Sequence, residues 1–315
     1  MDLLYLLEDL RHACPPLAAA FGVLTYLGDE AAFLAVGLLV MWCISKRDGY
    51  YLLAVGFVGT IVNQLLKIVC AVPRPWVRDP SFTVWEGARG AATGYSFPSG
   101  HTQNATGTYG TLALLGYTRA KSRRGRILAA SAGASLILAV AFSRMLLGVH
   151  TPADVLFSLG LGILLVALLY PFFKKDRGAD ALTALIAVMA VIALAFVLFI
   201  ELWTPPAGID PVNLAEARKN AWTLLGAVVG VLLISVIEPR YIRYETKAPL
   251  PAQALKLVLG LALTLALKEG LKLLFAAALG GAAPTHAVRY FLVVAFAGAV
   301  WPLTFPFFSR IFRAR

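Results

Sequence analysis

Three short segments of this chain carry polar side chains at spacings that suit chemistry on phosphate. Six residues separate the two cations of the first segment, and five and three residues separate the three polar members of the third. The second segment reads Pro-Ser-Gly-His. The candidate residues are Lys67 and Arg74 in the first segment, Ser99, Gly100 and His101 in the second, and Arg144, His150 and Asp154 in the third.

The cations and the second segment predict an anion site. Lys67 is a compact point charge, whereas Arg74 and Arg144 present forked donors that match phosphate oxygens. Ser99 and Gly100 precede a predicted helix, whose free backbone N–H groups and dipole also favour an anion. We therefore expect these residues to bind a phosphoryl group.

The two histidines can divide the work of hydrolysis. One imidazole attacks phosphorus while the other protonates the departing alcohol. Asp154 follows His150 by four residues, so on a helix its carboxylate lies on the same face and can accept the imidazole N–H. His101 has no carboxylate at such a spacing, which favours His150 as the nucleophile.

Each feature is common in membrane proteins when it occurs alone. Lys67 suits a snorkelling lysine, Arg144 and His150 suit interfacial anchors, and Pro98-Ser99-Gly100 is a general turn signal. The three patterns occur in order and fall on the same predicted membrane face. This conjunction indicates a catalytic site.

The elements that must position these residues are predicted to be membrane helices. The chain has 315 residues, of which 59% are hydrophobic and 14% charged, and its mean hydropathy is +0.77. Such a composition excludes an ordinary soluble domain. We predict an all-α polytopic helical bundle with about nine spans: 29–45, 49–71, 101–118, 127–142, 153–173, 181–203, 220–238, 251–279 and 287–308.

The distribution of charge predicts the orientation of the chain. A net charge of +11 would favour nucleic acid in a soluble protein, but here most loop Lys and Arg residues fall in alternate connections. The positive-inside rule assigns those connections to the cytoplasm. We therefore expect no nucleic-acid partner, a plasma (inner) membrane location, and loops around Arg74 and Arg144 on the extracytoplasmic face. The three cysteines are widely spaced and indicate neither disulfides nor a metal cluster.

The three segments resemble the signature motifs of the type 2 phosphatidic acid phosphatase (PAP2) superfamily and match them without a gap. The resemblance covers about residues 29–173 and implies a reaction through a phosphohistidine, with no metal or cofactor. It implies that His150 is the nucleophile, that Asp154 is its partner and that His101 protonates the leaving group. The remaining motif residues, Lys67, Arg74, Ser99, Gly100 and Arg144, would hold the phosphoryl group.

We predict three regions along the chain. Residues 1–28 form a retained N-terminal segment whose leucines suit the bilayer interface, residues 29–173 form the phosphatase core, and residues 174–315 form a four-helix extension. The extended layout resembles the sphingosine-1-phosphate phosphatase branch, and the nine-span plan resembles the glucose-6-phosphatase branch. The long connection 72–97, which contains Trp76 and Trp85, has the length of a functional loop such as a lid.

The expected activity is hydrolysis of a lipid phosphomonoester or diphosphate, such as a sphingoid-base phosphate, phosphatidate or undecaprenyl diphosphate. One alternative is a lipid-phosphate transporter or flippase, which would need cations but no nucleophile. Others are a phosphatase of a soluble sugar phosphate and a relative of the soluble vanadium haloperoxidases. In the eighth span we expect Lys268, Glu269 and Lys272 to form a buried ion-pair network, with a second polar cavity as the alternative.

Overall fold

The computed structural model describes residues 1–313, and that part of the chain is helical without any β-strand. The α-helices are α1 (Asp2–Ala13), α2 (Pro15–Leu24), α3 (Glu30–Cys43), α4 (Lys46–Cys70), α5 (Pro75–Arg78), α6 (Glu86–Arg89), α7 (Gly100–Arg119), α8 (Arg123–Leu146), α9 (Pro152–Lys174), α10 (Gly178–Leu202), α11 (Pro211–Ile237), α12 (Leu250–Leu279), α13 (Ala283–Ala295) and α14 (Phe305–Arg313). The all-α prediction is confirmed.

The structure does not confirm the predicted count of nine spans. Within the described residues, seven helical stretches are long and apolar enough to cross a membrane, and the bent pair Pro15–Gly28 and Glu30–Cys43 makes an eighth. The one predicted span without a counterpart among these stretches is the third, 101–118, which coincides with α7. This helix falls short because its first turns carry His101, Gln103 and Asn104 in place of apolar side chains.

The chain forms two compact units, each assembled from segments that are distant in sequence. The first comprises Met1–Leu34, Val58–Tyr170 and Pro206–Glu216, and the second comprises Ala35–Phe57, Pro171–Pro205 and the chain from Ala217 onwards. The predicted division at residues 28 and 173 stays a prediction. The last two residues of the predicted extension, 314 and 315, lie outside the described residues.

Small residues bring the helices of the first unit close together. A Cβ at Gly133 of α8 would lie 2.5 Å from Cβ of Ala113 in α7, and one at Gly162 of α9 would lie 2.6 Å from Thr106. Such close contact is the usual means of packing helices in a membrane, where van der Waals contact replaces the hydrophobic effect between them. Helix α7 therefore packs between α8 and α9, and this fixes the position of its N-terminus.

Helix α1 packs against the first unit through one of its faces. Leu4, Leu7 and Arg11 are buried, whereas Leu3 and Leu6 are 46% and 64% exposed. The Arg11 guanidinium donates to the carbonyl oxygen of Leu146 at 2.9 Å, at the end of α8. The helix thus supports the chain next to His150, while its other leucines remain available to lipid.

The second unit contains α10, α12, α13 and most of α11. Trp42 is fully buried there and donates its indole N–H to the carbonyl oxygen of Ala297 at 3.1 Å. Glu269 lies 3.6 Å from Lys268 and 3.9 Å from Lys272, so the predicted ion pairs form. These side chains are 38–63% exposed, so the prediction that they are buried within the chain is wrong. Within the described residues they lie on a partly exposed face of α12.

Candidate active site

A cavity of about 170 Å³ lies at the N-terminus of α7, within the first unit. Six of the eight predicted site residues line it: Lys67, Arg74, Gly100, His101, Arg144 and His150. The other two, Ser99 and Asp154, lie behind this lining and orient it, as described below. Thus the structure brings together all three sequence segments, although Lys67 and Asp154 are far apart in the chain.

Backbone carbonyl groups hold the first two cations in place. Lys67, near the end of α4, donates its ammonium N–H to the carbonyl oxygen of Tyr95. Arg74 donates to the carbonyl oxygens of Thr93 at 2.7 Å, Gly94 at 3.1 Å and Val149 at 2.9 Å. Both cations are buried. Because they are bonded to neutral carbonyls, neither charge is neutralised by these contacts, and both remain available to attract an anion.

The third cation is held at the end of α8. Arg144 is 1% exposed, and its Nη1 donates to Oγ1 of Thr25 at 2.7 Å. Its Nε is buried without a hydrogen-bond partner. A buried donor left without a partner is costly, so the guanidinium is suited to donate a further hydrogen bond to a ligand oxygen.

The N-terminus of α7 is capped by Ser99. Its Oγ accepts a bond from the backbone N–H of Thr102 at 3.4 Å and from the Thr102 hydroxyl at 3.0 Å. Ser99 is the typical N-cap residue type, and its hydroxyl therefore orients the helix instead of lining the cavity. Gly100 and His101 begin the helix, where the backbone N–H groups lack intrahelical acceptors. The predicted anion site is thus a helix N-terminus that opens on the cavity.

A glycine turn carries the chain from Arg144 back to His150. Gly148 has φ of +76°, and a Cβ there would lie 3.0 Å from Nη1 of Arg11 and from Phe82. A left-handed residue of this kind commonly ends a helix, and glycine takes that conformation without strain. The turn lets the N–H of His150 donate to the carbonyl oxygen of Arg144 at 3.2 Å. The turn therefore lets both Arg144 and His150 line the same cavity.

Asp154 lies behind His150 at the start of α9. Its Oδ2 accepts from the Thr151 backbone N–H at 2.8 Å and from the Ser96 hydroxyl at 2.6 Å, while the Asp154 N–H donates to the Thr151 hydroxyl. This reciprocal pairing is a capping box, with Pro152 at the first helical position. Oδ2 lies 3.5 Å from Nδ1 of His150, within ion-pair range but beyond a normal hydrogen bond.

The contact with Arg74 identifies the unprotonated nitrogen of His150. Its Nη1 lies 3.1 Å from Nε2 of His150, and a guanidinium can only donate. Nε2 is therefore the acceptor, which assigns the ring proton to Nδ1 on the side of Asp154. Burial, reinforced by the charges of Arg74 and Lys67, lowers the pKa of His150 well below its ordinary 6.5. The imidazole is neutral at physiological pH, as a nucleophile must be.

The structure gives His101 a carboxylate of its own. Oδ2 of Asp29 lies 3.8 Å from Nε2 of His101, while Oδ1 of Asp29 accepts from the Ala31 N–H at 2.9 Å and caps α3. Sequence spacing gave a carboxylate neighbour to His150 alone, and the structure adds one for His101 from a distant part of the chain. No local spacing pointed to Asp29, because it approaches His101 only through packing.

Other residues around the site also escaped the sequence motifs. Asn63 and Gln103 line the cavity, and neither belongs to a charged pattern. Outside the cavity, the hydroxyl of Tyr95 accepts from the backbone N–H of Asp210 at 3.0 Å. Asp210 lies in the connection between α10 and α11, so a segment of the predicted extension supports the residue whose carbonyl holds Lys67.

Comparison with known proteins gives two family matches and one curated relative. Residues 48–177 match the model of the PAP2 superfamily, and residues 222–310 match the transmembrane extension of PAP2 superfamily phosphatases. The chain is 32% identical over 160 residues to phosphatidylglycerophosphatase B of Bacillus subtilis (strain 168). The matched region covers 49% of this chain and 74% of that protein. No solved structure shows a significant match. The first family match contains all eight predicted site residues.

Proposed function

Because this chain belongs to the PAP2 superfamily and is an integral-membrane lipid phosphatase, we propose that it hydrolyses its lipid phosphate through a covalent phosphohistidine on His150. The observation that carries the proposal is the neutral imidazole of His150, whose unprotonated Nε2 lies beside Arg74 in a cavity that Lys67 and Arg144 also line. Lys67, Arg74 and Arg144 would stabilise the charge that develops on the phosphoryl oxygens. The nucleophile and the three cations thus line the same cavity.

The first step transfers the phosphoryl group to the enzyme. The lone pair on Nε2 of His150 attacks phosphorus, and the bond between phosphorus and the lipid oxygen breaks. His101 carries a proton once the bound phosphate offsets the charges of the three cations, and it gives this proton to that oxygen, so the lipid leaves as an alcohol, or as a lipid monophosphate when the substrate is a diphosphate. Asp29 stabilises the protonated ring of His101, and Asp154 stabilises the positive ring of His150.

The second step returns the enzyme to its starting state. A water molecule gives a proton to the now neutral His101 while its oxygen attacks phosphorus. The bond between phosphorus and Nε2 breaks, and its electron pair returns to His150. Inorganic phosphate leaves, and His101 is protonated again for the next cycle.

The dimensions of the cavity support a substrate whose apolar part stays outside it. Its volume of about 170 Å³ is smaller than the roughly 300–1,000 Å³ of sites that enclose whole small molecules. It suits a phosphoryl group with the first atoms of a headgroup. We propose that the lipid remains in the extracytoplasmic leaflet and that only its phosphate enters. The Bacillus relative makes a phosphatidylglycerophosphate the first substrate to test.

Phosphate release from a panel of lipids in detergent tests the substrate class. The panel contains phosphatidylglycerophosphate, phosphatidate, a sphingoid-base phosphate and undecaprenyl diphosphate, with glucose 6-phosphate as the soluble comparison. Turnover of at least one lipid, at a kcat/KM well above that of the sugar phosphate, is expected. Preference for the sugar phosphate would refute lipid hydrolysis at this site.

Rapid-quench labelling tests the two histidine roles. His150→Ala should lose the acid-labile phosphoenzyme and turnover with every leaving group. His101→Ala should lose about 10²–10⁴-fold with an alkoxide leaving group and much less with nitrophenolate, which needs little protonation. His12→Ala is the matched control, because His12 is exposed and lies outside the cavity. Phosphate trapped on His101 in the His150→Ala protein would show instead that His101 is the nucleophile and His150 the general acid.

Cysteine labelling tests the membrane face. In a background without Cys14, Cys43 and Cys70, a cysteine replacing Thr93 should react with an impermeant reagent in intact cells, whereas one replacing Ser122 should not. Both positions are exposed in the folded chain, so a difference reports the membrane side. The reverse pattern would place the site on the cytoplasmic face.

A further inference from the structure

Asn63 is a buried polar residue of the cavity that the steps above do not use. It lies on α4 one helical turn before Lys67, and it lines the cavity together with Lys67, His101 and Arg144. Residues four positions apart share one face of a helix. The Asn63 amide and the Lys67 ammonium are therefore presented toward the same space.

Both polar atoms of this amide are without a hydrogen bond. Asn63 is 1% exposed, and neither Nδ2 nor Oδ1 has a partner. Burying an unpaired amide is unfavourable, and nearly all buried polar groups in native proteins are paired. At the wall of a cavity, unlike at unpaired positions away from it, a ligand or a water molecule has room to supply the partner.

The position of the amide identifies the chemistry of that ligand. A Cβ placed on Gly100 would lie 3.8 Å from Oδ1 of Asn63, so the amide faces the first turn of α7. This is where free backbone N–H groups favour an anion. Phosphoryl oxygens only accept hydrogen bonds when ionised, and the amide offers two donors on Nδ2.

We propose that Asn63 is a further substrate-binding residue, whose Nδ2 donates to a phosphoryl oxygen held between Lys67 and the N-terminus of α7. The inference rests on the proposed phosphatase function and adds a neutral donor to its three cations. The amide oxygen then faces a donor such as a substrate hydroxyl or water. Asn63 thereby fixes the orientation of the phosphoryl group, whereas the flexible ammonium of Lys67 supplies charge.

The test compares Asn63→Leu with the wild-type protein and with Thr108→Val. Leucine has nearly the shape of asparagine but cannot hydrogen-bond. Thr108 is also buried with an unpaired hydroxyl, yet it does not line the cavity. Purified proteins in detergent are compared for thermal unfolding, for kcat/KM with the best lipid substrate, and for inhibition by inorganic vanadate as a phosphate probe.

Asn63→Leu should lower kcat/KM and vanadate affinity by about 10- to 100-fold, the effect of losing one hydrogen bond to a charged group. Its midpoint of thermal unfolding should be unchanged or higher, because an unpaired amide has been removed. Thr108→Val should leave both functional quantities within about twofold. A structural role for Asn63 would instead lower the unfolding midpoint.

Unchanged vanadate affinity and kcat/KM in Asn63→Leu would overturn the inference. The proposed function would stand in that case if His150→Ala still abolished the phosphoenzyme. If Asn63→Leu does not fold, Asn63→Ser is judged by the same measurements. Failure of both variants to fold would mean that the amide supports the structure itself, and this too would overturn the inference.

Discussion

Replacing Asp29 by Asn separates the charge of this residue from its structural role. The carboxylate caps α3 through Oδ1 and approaches His101 through Oδ2. Asparagine is as good an N-cap as aspartate, so the substitution keeps the helix start. It removes only the negative charge beside the proposed general acid.

The distance between the two groups sets the expected magnitude. Opposite unit charges about 4 Å apart attract with about 1 kcal/mol in water and about 4 kcal/mol at an effective dielectric constant of 20. The Asp29 side chain is 37% exposed, which favours the lower part of this range. A loss of about 1–2 kcal/mol in stabilising protonated His101 corresponds to a rate lower by about 5- to 30-fold.

The assay compares kcat for two leaving groups. With phosphatidate the departing alkoxide needs a proton, so Asp29→Asn should show the full loss. With nitrophenyl phosphate the loss should nearly vanish. In a His101→Ala background, where no imidazole remains to be stabilised, Asp29→Asn should add little to the defect.

Two results would refute this role of Asp29. One is an equal loss with both leaving groups, which would indicate an effect on phosphate binding through neighbouring Arg144. The other is an undiminished loss in the His101→Ala background. Asp29→Ala serves as the structural comparison, since it removes the cap as well as the charge and should lower the unfolding midpoint.

Three further outcomes are expected. Gly148→Ala should lower the free energy of unfolding, measured by thermal unfolding, by about 1–3 kcal/mol, because alanine disfavours positive φ and its Cβ would press on Arg11. Gly160→Ala is the control, because a Cβ there meets nothing within 4 Å, and it should be neutral or slightly stabilising in the same assay. Because the pKa of His150 is lowered, its ¹⁵N-labelled imidazole should still be neutral by NMR at pH 6, and a charged ring there would contradict the assigned environment. Turnover should survive EDTA and be inhibited competitively by vanadate, whereas loss with EDTA and rescue by magnesium would contradict a mechanism built on Lys67, Arg74 and Arg144.

The helices and the local geometry of the motifs could be predicted from the sequence. Apolar runs gave the helices because helix formation depends on residues close in the chain. The four-residue spacing of Asp154 from His150 predicted their contact through a shared helix, but α9 begins only at Pro152, and the capping turn at Thr151 brings the two side chains together instead. Ser99 before Gly100 predicted the start of α7. Helix α7 is the exception, because it forms a helix as predicted but is not apolar enough to count as a membrane span. Its first turns carry polar side chains, among them His101 and Gln103, which line the cavity.

Tertiary packing decided which residues from different helices share the cavity. Arg74 meets Nε2 of His150, and Asp29 meets His101, although each pair comes from distant parts of the chain. A Cβ at Gly28 would lie 2.7 Å from the carbonyl oxygen of His101, and this close approach brings the neighbouring Asp29 to the imidazole. Spacing along the chain carries no information about such contacts. The unpaired amide of Asn63 likewise became visible only as a buried group at the cavity wall, since burial depends on what the other helices cover.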